Sequence, residues 1–462
     1  MRNTLKEHEH GRARLRMSQP RLVVVLFGLS ILALTSCTTV WPQGGSVTVA
    51  SPLPYGSQGS VTAMRGDPGF ARSQLTALER THYDRLLQEI NDPDNFANLM
   101  REAGRNDIYH YGRRLHTYVQ PILTVFRITG DLTLLDHVDI IAERMRQELR
   151  DEWHGTNDGT DGTKDGYLNW VYRYRDTPQH QGKDTRHIDD IKTHSLIAMI
   201  AYALDLNRDL ASPTGRDYAA HADFWKDYLV NHFEAKWRER RGIATAFPFL
   251  SHSDAHAYHS WTKWHYFMGL LTGNAAYSRE AHRMADVIWG EIRAADTPAG
   301  PAYVWTSNIS ALSTSRNYLM TTSYANSIYG DIVTFHLEGF HHWADATHLT
   351  NFARSITALQ FDTDDVVANG IAGDIGGNSP HSKSRRAGLP ADHRYGRPVR
   401  RSASTFALYE MSTLAPWDET GEMVRVGYDV QEAYPEEDTA RLAAALFLSA
   451  HLNTDATAAA LR

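Results

Sequence analysis

From about residue 76 onward, apolar residues recur at spacings of three and four. Leu78, Tyr83, Leu86, Leu87 and Ile90 make one stripe, and Leu115, Val119, Ile122, Leu123 and Phe126 make a second, closed by Gly130. Leu134, Val138, Ile141 and Met145 follow as a third. Each spacing puts its apolar set on one face of an amphipathic helix. The pattern resumes over 196–206, 218–233, 254–271 and 278–292, then over 318–337, 347–359, 404–414 and 439–452. Strand signals are nearly absent, since no Asn-Gly turn is flanked by alternating apolar residues. Helices joined by alternating short and long loops, without a fixed-period repeat, predict an all-α fold. The expected architecture is an (α/α) toroid, an incomplete α/α barrel, forming a single catalytic domain over 76–462. Two long polar stretches, 154–190 and 360–401, interrupt the helices and read as lids or binding loops.

The N-terminus follows another pattern. Arg21 precedes an apolar run over 22–34, broken only by Gly28 and Ser30, and Thr35-Ser36-Cys37 follows. A basic start, a short apolar core and small residues describe an export signal. The run is too short to span a bilayer comfortably. Leu34-Thr35-Ser36-Cys37 resembles the bacterial lipobox, which implies acylation of Cys37 after removal of residues 1–36. Residues 37–75, rich in Ser, Thr, Gly and Pro, read as a flexible tether. One cysteine also excludes an intramolecular disulfide. The whole chain has 47 Lys and Arg against 54 Asp and Glu, a net charge of -7. Removing 1–36 takes six basic and two acidic residues, leaving 41 against 52, or -11. That sign argues against nucleic acid as a partner. The expectation is a lipid-anchored protein of the bacterial cell envelope. Thr38 after the cysteine, in place of Asp, resembles lipoproteins sent to the outer membrane.

Candidate chemistry concentrates in a few windows. The helix opening at Ser253, an expected N-cap, interleaves His256, His259 and His265 with Trp261 and Trp264. His256, His259 and Lys263 share a face, and imidazole titrates near working pH. Later, Arg316 and Tyr324 lie about two helical turns apart, placing a guanidinium and a phenol on neighbouring faces. A basic cluster, Lys383, Arg385, Arg386, Arg394, Arg397, Arg400 and Arg401, is opposed only by Asp392. Arginine forks bind carboxylates bidentately, so this window suits an anionic polymer. No His-Glu-x-x-His is present, and residues 157–166 lack the EF-hand order, with Leu168 in the place of the final Glu. No cofactor is therefore expected. A structural zinc at His252, His256 and His259 and a loose calcium site in 157–166 stay open.

An acylated envelope protein with a helical body, a His-aromatic helix and a later Arg…Tyr helix resembles the toroid polysaccharide lyases of alginate and glucuronan. The resemblance is carried by Ala257-Tyr258-His259-Ser260-Trp261, set against Asn-Asn-His-Ser-Tyr-Trp in some alginate lyases, then by Arg316 and Tyr324-Ala325. Tyr258 stands where those enzymes carry Asn, the gap from His259 to Arg316 is longer than in the motif, and Arg316 to Tyr324 is eight residues rather than seven. The resemblance implies β-elimination on a polyuronate. Tyr324 would be base and acid, His259 a second base or carboxylate partner, and Arg316 the group that orients Tyr324 and neutralises charge. Asn169 would supply the missing amide. Trp170, Trp261 and Tyr395 would stack on sugar rings, while His256, Arg186, Lys192, His194, Arg386 and Arg394 would line the cleft. The partner is then an anionic polysaccharide, with the membrane reached through the lipid. Two other readings remain. One is a toroid glycoside hydrolase of the unsaturated glucuronyl type, using a pair among Asp189, Asp190, Asp254 and Asp374. The other is a non-catalytic glycan-binding lipoprotein. The choice between monomer and homodimer stays open.

Overall fold

The computed structural model describes residues 64–151, 166–171, 187–240, 253–310, 312, 320, 322–362, 366–367, 399–400, 411–433 and 440–452. These belong to one compact unit, Gly59–Arg462, and are mostly helical, as the apolar spacing predicts. The helices are α1 (Ala77–Asn91), α2 (Pro93–Ala103), α3 (His116–Thr129), α4 (Leu132–Arg146), α5 (His187–Leu206) and α6 (Tyr218–Tyr228). They continue with α7 (Ala255–Thr272), α8 (Ala275–Glu291), α9 (Thr322–Leu337), α10 (Ala346–Arg354), α11 (Glu422–Ala433) and α12 (Ala440–Leu452). A short helical turn (Ile108–His110) and a π turn (Tyr111–Leu115) extend α3 backwards. A π turn (Leu229–Glu234) and a further turn (Ala235–Arg240) extend α6 forwards. Among the described residues no helix is long and apolar enough to cross a membrane.

Burial separates two kinds of helix. In α3, 13 of 14 residues are buried, and in α7, 15 of 18. In α8 only 6 of 17 are buried, and in α6 only 4 of 11. A helix buried on all sides is central, whereas a one-sided helix covers a core from outside. Contacts then give direction. Gly112 meets the backbone of Asp189, and near the other end the charge of Arg127 reaches Tyr202, so α3 and α5 run parallel. Tyr202 also packs on Phe267, 5.8 Å between ring centres, which brings α7 alongside α5. His259 shares a recess with Ile328 and Ile332, and Lys263 pairs with Asp331, so α9 runs with α7. Arg441 bonds Thr117 while Ala444 and Leu448 meet Pro121 and Thr124, so α12 runs with α3. The central helices α3, α5, α7, α9 and α12 thus share one direction.

Two buried ion pairs hold this register. Lys263 of α7 reaches Asp331 of α9, His116 Nε2 at 2.8 Å and Gln120 Oε1 at 2.9 Å, both on α3. Gln120 in turn donates to the Thr334 hydroxyl at 3.0 Å. Nearer the C-terminal ends, Arg127 pairs with Glu338, which also accepts from the Tyr266 hydroxyl at 3.1 Å. A cation at helix C-termini is favourably placed in the helix field. Gly112 is required on packing grounds. A Cβ there would lie 2.7 Å from the carbonyl oxygen of Asp189, so any larger residue would force α3 and α5 apart.

Two expectations are corrected. The tether was expected to reach residue 75, but Met64 is buried and its carbonyl accepts from Asn207 Nδ2 at 2.7 Å. The Gly66 N–H donates to Asn207 Oδ1 at 2.6 Å, and Arg65 pairs with Asp209. Polar composition hid this segment because it is held by its backbone rather than by an apolar stripe. The region after 292 also forms an antiparallel hairpin, β1 (Arg293–Thr297) with β2 (Gly300–Val304). Gly300, at φ +113, allows its turn.

Replacing Lys263 by Met leaves Asp331 buried without its cation and is expected to cost about 3–5 kcal/mol. The double variant Lys263→Met/Asp331→Leu should recover much of that loss, because no charge then stays enclosed. Urea denaturation of both variants measures this. A Lys263→Met protein as stable as wild type would show that the pair does not hold the central helices.

Candidate functional site

The parallel central helices bring their N-terminal ends to one side of the molecule. Aligned peptide dipoles make such ends positive, which favours bound carboxylates. The segments leading into these ends, 172–186, 241–252, 313–319 and 434–439, lie outside the described residues.

Helix α7 begins at Asp254, which takes the N-cap position expected for Ser253. Its start is clasped by the chain after β2: the Ala255 N–H donates to the Ser307 carbonyl at 2.9 Å, and the Ile309 N–H to the Ser253 carbonyl at 2.7 Å. His256 lies in the first turn and is buried. His259 lies one turn deeper and is also buried, its ring edge-on to Trp343 at 6.2 Å. Among the described residues the His259 ring makes no hydrogen bond, and its Nδ1 is fully enclosed. It borders a recess with Trp305, Glu291, Ile328 and Ile332, with room for about one water molecule. Burial pushes the His259 pKa down to about 3, and the nearby Lys263 charge adds to this. The ring is therefore neutral at pH 7, with one N–H to donate and one nitrogen to accept. A buried polar group left unpaired requires a physical explanation.

Helix α9 carries Tyr324 one turn before Ile328, so that turn lies beside the His259 end of α7. The side chain of Tyr324 is outside the described residues, as are Arg316, Arg186, Arg386, Arg394, Tyr395, His252 and Cys37.

A second polar group lies at the start of α5. Asp190 is fully buried and accepts from Lys236 Nζ at 2.8 Å and from Trp237 Nε1 at 2.5 Å. His194 Nδ1 sits 3.0 Å from the Asp190 carboxylate and 2.8 Å from its carbonyl. Its Nε2 meets the Tyr228 hydroxyl at 2.8 Å, and its ring stacks on Phe233 at 3.8 Å. Burial would raise the Asp190 pKa, but Lys236 and His194 outweigh it and hold the carboxyl well below its ordinary value. His194 is lowered by burial, partly offset by Asp190.

These contacts revise several sequence-based roles. His194 spends both ring nitrogens inside the core and does not line a cleft. Trp170 is buried, its Nε1 donates to the Met145 carbonyl at 2.8 Å, and its ring meets Tyr111 edge-on at 5.4 Å. Trp261 is buried between Phe233 and Trp264. Neither indole has a free face for a sugar ring, because each filled the space between central and covering helices. Asn169 is buried, its backbone paired in both directions with Arg150 at 3.0 Å. Lys192 is half-buried, and its charge reaches His116 at the start of α3.

Sequence reasoning flagged Lys263 but missed its partners Asp331, His116 and Gln120, and it missed the contacts of Lys236 with Asp190 and of Tyr228 with His194. The available signal was a charged or amide residue inside an otherwise apolar stripe, as Lys263 is among Trp261, Trp264 and Phe267. Away from this end, Asp139, Glu143 and His221 are close enough to hold a cation, but Asp139 already pairs with Arg216. No family model, no curated protein and no solved structure matches this chain.

Burial pushes His82 and His137 down to about 4 and His265, like His259, down to about 3, from an ordinary value near 6.5. Their folded forms stay neutral while the unfolded chain takes up protons. The stability they contribute is complete above the unfolded value and is lost as pH falls from about 6.5 towards 3–4. Urea midpoints measured from pH 7.5 to 5 should fall steadily. Imidazole NMR signals of the folded protein should show His259 not titrating over that range; a His259 midpoint near 6.5 would place the ring in water.

Proposed function

We propose that the chain is a toroid polysaccharide lyase that cleaves a uronate polymer, alginate or glucuronan, by β-elimination. The observation that carries this reading is His259: a neutral, enclosed imidazole without a hydrogen bond, beside the helical turn that carries Tyr324. The alternation of buried parallel helices with one-sided returning helices supports a closed α/α arrangement. The gathered helix N-termini suit a substrate bearing a carboxylate on every sugar.

The chemistry then divides among the residues. Tyr324, assigned as the base, takes the C5 proton of the uronate, and Arg316 is assigned to orient it and neutralise charge. The electron pair left on C5 forms the C4–C5 double bond as the C4–oxygen bond breaks. The phenol returns its proton to the leaving oxygen. During this step negative charge builds on the neighbouring carboxylate, and fixed donors must meet it there. A pKa of about 3 makes His259 a poor base, so it serves as an N–H donor to that carboxylate. Arg316 shares that task. Of the four carboxylates open to the hydrolase alternative, Asp190 is enclosed by Lys236, Trp237 and His194. Acylation at Cys37 would hold the enzyme in the envelope, where it meets exported or imported polymer, and the chemistry needs no cofactor.

Ultraviolet absorbance of the new double bond, with alginate, polyglucuronate and hyaluronan tested separately, checks the reading. One polymer should give a rising signal, and Tyr324→Phe should lower it by about a hundredfold or more. Chain shortening without absorbance would mean hydrolysis, and no reaction with any polymer would leave a binding protein.

A further inference from the structure

Arginines that leave the surface of this protein meet a carboxylate. Arg85, Arg127, Arg144, Arg146, Arg216, Arg283 and Arg354 are buried or half-buried, and each pairs with Asp or Glu. Among the described residues Arg441 breaks this rule. It is half-buried, its one hydrogen bond runs from Nη1 to the Thr117 hydroxyl at 3.1 Å, and its Nε is enclosed without an acceptor. No carboxylate stands within ion-pair distance of it among the described residues.

Its position adds to the cost. Arg441 is the second residue of α12, where the helix field disfavours a cation. Thr117 directly follows His116, the residue that meets Lys263, so Arg441 sits at the level of that buried cation. Lys192 is near enough for its charge to act on His116. A half-desolvated guanidinium, at a positive helix end and near other cations, is placed against its own stability. Such placement is explained when an anion arrives to meet it.

We infer that Arg441 is a carboxylate-binding subsite for an acidic sugar held at the N-terminal ends of the central helices. The identity of that anion as a uronate rests on the lyase reading above. Thr117 aims the fork: its hydroxyl accepts from Arg441 and shares its one proton between the carbonyls of Arg113 and Arg114, at 3.1 and 3.0 Å. The remaining guanidinium donors can then take a carboxylate bidentately. Arg441 positions a sugar ring and does not touch the breaking bond, so its contribution falls on binding.

Arg441→Gln and Arg441→Lys test this in the full chain, by calorimetry with alginate and glucuronan oligosaccharides and by lyase kinetics. Arg441→Gln should weaken binding about tenfold to a hundredfold, the loss in kcat/KM coming chiefly through KM. Arg441→Lys, which keeps charge but not the fork, should fall between the two. The thermal midpoint of Arg441→Gln should match or exceed wild type, since the clash with the helix field is relieved, and that of Arg441→Lys should stay at the wild-type value, since the charge is kept. Unchanged affinity and KM in a folded Arg441→Gln protein would overturn the subsite. Cleavage by wild type with no Arg441 effect removes the subsite alone. Binding without cleavage removes the lyase reading, and Arg441 is then judged on affinity. Wild type binding none of these oligosaccharides overturns both.

Discussion

A lysine enclosed among central helices constrains nearly everything else in this protein. Lys263 cannot stay charged in an apolar interior unless acceptors surround it, and they come from two other helices: Asp331 on α9, His116 and Gln120 on α3. Meeting that requirement fixes which turn of each helix faces which. A slip of one turn would leave Lys263 or Asp331 buried without its partner, a penalty of several kcal/mol. Apolar contacts alone would tolerate such a slip more readily, since one Leu or Ile can often replace another at a helix interface. The Arg127–Glu338 pair repeats the constraint near the other end.

Register, once fixed, places the chemistry. The His259 end of α7 stands beside the Tyr324 turn of α9 because Lys263 and Asp331, about one turn and two turns further on, are tied together. The same register sets Arg441 against Thr117 at the start of α12. An interior that accepts polar side chains only with partners therefore makes exceptions informative. His194 and Asp190 are fully engaged and serve packing. The His259 ring makes no hydrogen bond and Arg441 keeps its enclosed Nε without an acceptor, and both lie at the end where helix dipoles favour anions.

Much of the helical plan was legible in the chain. Stripes such as Leu115, Val119, Ile122 and Phe126 announced α3, and expected and observed boundaries differ by only a few residues for α7, α9 and α12. The hairpin after α8 was not legible, because Arg293–Thr297 shows neither alternation nor an Asn-Gly turn. The attachment of residues 64–67 was also hidden, since it depends on backbone groups and on Asn207, more than a hundred residues away. For the site, residue type alone flagged His256, His259 and Lys263, but it flagged Trp170, Trp261 and His194 equally. An indole that stacks on sugar and one that fills a core are the same residue, and only burial separates them.

The sequence by itself determined the helices and which of their faces are apolar, because that information repeats locally every three or four residues. It also determined that no disulfide could close the fold, because it holds a single cysteine. Only the tertiary structure decided which polar residues would spend their hydrogen bonds inside and which would keep them. Lys263 needed three partners separated from it by as many as 147 positions, and no local pattern encodes such a meeting. Desolvation is a property of what surrounds a group in space, so the difference between a structural His194 and an unpartnered His259 arises only once the helices have packed.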